Sequence, residues 1–182
     1  ANDSGMIVML FPLWGGLAEV TFDNSSFPDY FTKEESMLWA KYVAARYSGY
    51  NVIWAGGGNV NLDTETKKNF WAEFCKTLKT QSGGRQLVTL HPAPLKTTTD
   101  YFGNEADWLD FNMYNMSRYR QDEEIPWEIA KRSMDASSGK PLLACESCYE
   151  YYTYYMYGPP HYDFHYEYRT NMSDVRRSHA QN

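Results

Sequence analysis

The sequence predicts an α/β fold built from βα units, with a (β/α)8 TIM-type barrel preferred over a doubly wound sheet. Three observations lead there. Short apolar runs alternate with helical segments five times along 182 residues, the pattern of a parallel sheet with crossover helices. Each run ends in polar residues, and right-handed crossovers gather such ends on one rim. No glycine-rich turn matches a nucleotide fingerprint, which removes the main reason to prefer the open sheet.

The elements follow in order. Gly5 to Gly15 is a near-continuous apolar run, as expected of a strand buried on both faces. Thr32-Lys-Glu-Glu35 is a capping box, and the helix it opens carries Leu38, Tyr42 and Ala45 on one face until Ser48-Gly49 stops it. Tyr50 to Asn61 is the stretch that organises the chain. Val52, Ile53, Trp54 and Ala55 form a buried strand that runs into three glycines and two asparagines, a turn that admits a close approach of another molecule. Asp63 caps a second helix with a stripe of Phe70, Phe74 and Leu78, flanked by Trp71 and Cys75 and ended by Ser82-Gly-Gly84. A strand over 86–91 ends at Pro92. Residues 108–113 alternate with period two, placing Trp108, Asp110 and Asn112 on one face. A helix from near Pro126 buries Trp127, Ala130 and Met134, and Leu142 to Glu146 is another short buried strand. A tyrosine-dense segment, Tyr149 to Tyr168, and a helix from Ser173 complete the reading.

Composition narrows the function. A net charge of -6 argues against nucleic acid as a partner, because phosphate binding needs a basic surface. No apolar run is long enough to cross a membrane. Aromatic residues make up 17% of the chain, and tyrosine and tryptophan offer flat apolar faces with polar edges that suit sugar rings as well as cores. The three cysteines form no disulfide framework, and the redox-like spacing of Cys145 and Cys148 falls at a strand end, where packing is the simpler reading. Metal ligands would have to come from several strand ends; His91 and Asp110 qualify, His161 and His165 less so, and neither a metal nor another cofactor is expected. The tyrosine-dense segment overhangs the rim either as a sugar-stacking platform or as a packed cover.

The rim residues are Trp14, Asn59, Asn61, His91, Asp110, Asn112 and Glu146. Glu146 ends a strand of small and apolar residues, so it is partly desolvated, and Tyr149 and Glu150 follow it closely. A cleft with so many donors and acceptors suits a polyol, each hydroxyl of which needs a partner. The expected partner is a carbohydrate.

At these positions the sequence resembles the apiosidase-like (β/α)8 glycoside hydrolases, a mostly bacterial family often followed by a collagen-binding-type domain. The resemblance is carried by Leu13-Trp14-Gly15, by residues 54–61, by Thr89-Leu-His-Pro92, by 108–112 and by Glu146-Ser-Cys-Tyr-Glu150, in that order. It implies cleavage of a glycosidic bond in a complex, plant-type polysaccharide by two rim carboxyl groups. Glu146 matches one of them. The other follows a glycine pair, and there this chain has Asn59 where the family has an acid. An amide has no proton to give at neutral pH, so Asn59 is an inactivating substitution, a natural loss, or a sign that Asp110, Glu150 or Asp63 serves instead. The alternative function is a non-catalytic carbohydrate-binding barrel. The resemblance also implies that residues 1–182 are a partial barrel, about strands 3 to 7, since a whole one needs about 250 residues. It alone suggests a secreted or periplasmic location; oligomeric state stays open.

Overall fold

A computed structural model describes residues 1–18, 31–102, 106–116, 124–137, 139–147 and 149. Among the described residues, seven short strands and four α-helices follow one another: β1 Val8–Leu10, β2 Leu13–Trp14, α1 Lys33–Tyr47, β3 Val52–Ala55, β4 Gly57–Gly58, α2 Glu65–Gln81, β5 Val88–Thr89, α3 Thr99–Phe102, β6 Asn112–Asn115, α4 Glu124–Ala136 and β7 Leu142–Glu146. Every pairing between them is parallel. β1 pairs with β3 and β3 with β5, β2 pairs with β4, and β6 with β7. β5 and β6 are joined by Asp110 N–H donating to the Val88 carbonyl and by the Thr89 hydroxyl donating to that of Phe111. Two pairs are single strand lines interrupted once. Proline has no N–H to give a ladder, and Pro12 separates β1 from β2, while Gly56 separates β3 from β4. The five lines lie side by side in chain order, with helices between them, as in a (β/α)8 barrel.

The expected α2 is the best realised element. Phe70, Trp71, Phe74, Cys75 and Leu78 are all buried, and each large side chain of that stripe contributes about 1.5–3 kcal/mol by leaving water. Its N-cap is Thr64, whose hydroxyl accepts from Lys67 N–H at 3.3 Å, rather than Asp63. The capping box of α1 forms as expected: Glu35 Oε2 accepts from Thr32 N–H at 2.9 Å and Thr32 Oγ1 accepts from Glu35 N–H at 3.2 Å.

Two helix faces and two strands differ from the sequence reading. α1 buries Ser36, Ala40, Val43 and Ala44 and leaves Leu38 and Tyr42 exposed, because small residues let it lie close against α2. α4 buries Ile129, Ala130 and Ser133 instead of Trp127 and Met134, both more than half exposed. The opening run is not buried on both faces, since Met6 and Ile7 are exposed and β1 is only half-buried. The strand expected over 108–113 begins only at Asn112, since Trp108, Leu109 and Phe111 fill the core as a loop beneath it. The tyrosine-dense segment beyond Tyr149 and the helix from Ser173 lie outside the described residues. Among the described residues no helix is long and apolar enough to cross a membrane.

Candidate active site

At the C-terminal ends of the strands, five polar side chains converge. Asn115 closes β6 and is fully buried. Its Nδ2 donates to Glu146 Oε2 at 3.1 Å, to Asn59 Oδ1 at 3.3 Å and to the Pro92 carbonyl at 3.0 Å. Glu146, the last residue of β7, is buried, and its other oxygen accepts from the Tyr149 hydroxyl at 2.7 Å. His91 Nε2 lies 3.7 Å from Glu146 Oε2. One asparagine nitrogen thus ties the carboxylate on β7 to the residue after β4. The Asn59 and Glu146 oxygens are no farther apart than the two hydrogen-bond lengths combined. That upper bound is compatible with the spacing of about 5–5.5 Å between the carboxyl groups of retaining glycosidases.

The local sequence explains why Asn59 stands there. Its φ is 53°, in the left-handed region that asparagine tolerates better than most residues. The turn points the Asn59 N–H at His91 Nδ1, 3.2 Å away. That contact places the His91 proton on Nε2, facing Glu146. Burial pushes the His91 pKa down, and the nearby Glu146 charge opposes the shift without cancelling it. His91 is therefore a neutral, buried group beneath the site. Phe11 and Trp14 flank it, with ring centroids 5.6 and 6.3 Å from the imidazole. Both are more than a third exposed, so they form a partly exposed apolar wall beside His91.

The three glycines make room for the protein's own side chains. A Cβ on Gly58 would stand 2.1 Å from the Trp14 ring, and one on Gly56 would stand 2.2 Å from Cys75 Sγ. Trp14 lies across the strand because Gly58 has no side chain, so the close approach expected of a ligand is made by Trp14.

The structure brings together Trp14, Asn59, His91, Glu146 and Tyr149. It leaves Asn61 on an exposed turn, donating to Asp63 Oδ2 at 3.0 Å, while Asp63 pairs with Lys67. Asp110 and Asn112 are not on this rim. Both precede or begin β6, so they sit at the opposite strand ends, where Asp110 accepts from Lys79 at 2.7 Å and Asn112 donates to Ser137 at 3.1 Å. Glu150 lies outside the described residues. Asn115 and Phe11 were missed. Extending the alternation of 108–113 by two residues reaches Asn115, but on the apolar face of Leu109, Phe111 and Met113, and its Asn-x-Ser context presents it as a glycosylation acceptor; full burial and an engaged Nδ2 exclude that role.

Comparison with known proteins decides the family. The family model described as "Apiosidase-like, catalytic domain" matches residues 1–181. The chain belongs to the apiosidase-like family. Among solved structures it is similar to a glycoside hydrolase family 5 protein from Bacteroides vulgatus ATCC 8482, with 26% identity and a TM-score of 0.73. The match covers 98% of this chain and 38% of that one, so the chain spans well under half the length of that relative. None of the curated proteins matches it. The apiosidase-like chain thus shares the α/β architecture of a glycoside hydrolase family 5 protein along almost its whole length.

Proposed function

We propose that this apiosidase-like barrel acts on a glycosidic bond in a complex, plant-type polysaccharide, with Glu146 as nucleophile and position 59 as the acid site. The observation that carries this reading is the single Asn115 amide that holds Asn59 and Glu146 together. Glycosidases need one carboxyl group to protonate the leaving oxygen and another to attack or to activate water. The compact spacing favours direct attack by Glu146 over a water molecule held between the two groups. Tyr149 donates to the carboxylate and Trp14 packs beside His91, the surfaces proposed to meet a sugar ring, and Asn61 and Glu150 are assigned to its outer hydroxyls. Asp63 and Asp110, the substitutes for a missing acid, are each engaged by a lysine. Residues 1–182 are read as part of a larger barrel, in keeping with the 38% share of the related structure.

Asn59 favours a second reading, a barrel that binds carbohydrate without cleaving it. One experiment separates the two. In the full-length protein, Asn59→Asp should raise hydrolysis on a polysaccharide panel by about 10²–10⁴, and adding Glu146→Gln should abolish the gain. If Asn59→Asp restores nothing while glycan binding persists, the binding-only reading holds.

A further inference from the structure

Glu146 faces the site because the ladder between β6 and β7 is interrupted one residue before it. Asn112, Met113 and Tyr114 lie opposite Leu142, Leu143 and Ala144, but Asn115 lies opposite Glu146, so Cys145 is an extra residue on β7. Side chains alternate across a strand. Leu142 and Ala144 pack with Tyr114 against Ile129 and Ala130 of α4, and a regular strand would send Glu146 to that same outer face. The bulge turns it to the face of Asn115 instead, the re-aiming that bulges perform beside active sites. There the fully buried Asn115 Nδ2 meets three oxygens: the Pro92 carbonyl at 3.0 Å, Glu146 Oε2 at 3.1 Å and Asn59 Oδ1 at 3.3 Å. A main-chain carbonyl can only accept, so the atom among them is the nitrogen, and each group around it presents an oxygen. Asn59 therefore turns its second terminal atom away from Asn115, and a carboxyl group in its place would do the same with its hydroxyl.

Resting on the reading of Glu146 and position 59 as the reacting pair, we propose that Asn115 is the positioning residue of this site. Its amide acts on both members. To Glu146 it gives an N–H that holds one carboxylate oxygen in place and supports its charge, while Tyr149 holds the other. At position 59 it selects the accepting oxygen, so an acid there keeps its proton on the far oxygen, directed away from Asn115 and towards the leaving group. The Pro92 carbonyl anchors the amide to the main chain while it serves the pair. Two N–H groups meet three oxygens, so at least one is shared and the groups around it are coupled.

The test is made in the full-length protein carrying Asn59→Asp, on the polysaccharide of the panel that it hydrolyses, with Asn115→Ala, Asn115→Asp and Asn115→Gln added in turn. Melting curves give the folded fraction of each. Asn115→Ala should lower kcat about 10²-fold, the cost of misplacing a reacting group by about an ångström, and leave KM nearly unchanged. The acid side of its pH–rate curve should move up by about one unit, the effect of losing one hydrogen bond to a carboxylate. Asn115→Asp, which keeps the shape without the N–H groups, should do the same and takes over the test if Asn115→Ala does not fold. Asn115→Gln, which keeps them, should recover most of the pH curve. His91 and Tyr149 also face Glu146, but every protein of the set contains them, so a shift that follows residue 115 is not theirs. If the folded variants keep the kcat and the pH curve of Asn59→Asp, Asn115 is a structural tie and the inference falls while the reacting pair stands. A curve displaced as far in Asn115→Gln as in Asn115→Ala would also overturn it, because the N–H groups would then not be what matters. If Asn59→Asp hydrolyses nothing, the pair itself fails and this inference with it.

Discussion

The two ends of the strands carry similar buried polar residues put to different uses. At the N-terminal ends, every group has its complement. Asp110 accepts from Lys79 and from the Val88 N–H, and Gln86 accepts from the Trp54 indole while donating to the Tyr47 and Tyr50 carbonyls. At the C-terminal ends, the carboxylate of Glu146 accepts from the Asn115 amide and the Tyr149 hydroxyl and lies 3.7 Å from the His91 imidazole. A buried carboxylate whose charge is matched by a lysine fastens two elements together. One set among amide, hydroxyl and imidazole groups at the C-terminal rim stands where a barrel of this kind does its chemistry. That difference separates scaffold from site more clearly than residue type does, since each end offers an acid and an asparagine.

The contrast breaks most visibly at Asp110. Asp110→Ala leaves the Lys79 ammonium and the Val88 N–H without their acceptor in a region about one-fifth exposed. Removing one partner of a buried pair costs several kcal/mol, and this partial exposure lowers the figure to about 2–3 kcal/mol. The urea midpoint of the full-length protein should fall accordingly, with its slope unchanged. A loss below about 0.5 kcal/mol, the ordinary surface range, would show that Asp110 fastens nothing.

A smaller effect sharpens the same contrast from the rim. Burial lowers the folded-state pKa of His91 beneath the ordinary value of about 6.5. The folded protein therefore binds fewer protons than the unfolded chain between those two values. The contribution is fully present above about pH 6.5 and is lost as pH falls towards the folded-state pKa. His91→Gln should flatten this part of the stability–pH curve, seen as a shrinking difference between the two proteins in denaturation series from pH 7.5 downward. Parallel curves would mean that His91 titrates as freely folded as unfolded.

Much of this was legible in the sequence, for identifiable reasons. The βα order, the α2 stripe and the β7 strand ending at Glu146 are local patterns, and local patterns carry their own period. The family resemblance then fixed which strand ends to compare. The faces of α1 and α4 were misread because large apolar residues were taken to point inward. The core chose the small ones on α1, where another helix lies close, and Leu38, Tyr42, Trp127 and Met134 stayed outside. The error at β6 matters more. The strand begins at Asn112 rather than at 108 and ends at Asn115 rather than at 113, which carries Asp110 and Asn112 away from the rim and brings Asn115 to it. Alternation cannot detect this, because a period of two says which face a residue takes and nothing about where along the chain the ladder begins.

The smallest expected effect is the most telling. Glu146→Gln should leave folding stability unchanged or slightly raise it, although the residue is buried and doubly hydrogen-bonded. Glutamine keeps the shape; its carbonyl oxygen can still accept from Asn115, and its amide can donate to the Tyr149 oxygen, which accepts as readily as it donates. What disappears is a buried charge, and relieving the cost of its desolvation offsets a weaker hydrogen bond. Thermal melts of Glu146→Gln and the unsubstituted protein should coincide within a degree or so, or favour the variant. A loss above about 1 kcal/mol would mean the Glu146 carboxylate is structural in the way the Asp110 carboxylate is, and the distinction between the two strand ends would then have to be abandoned.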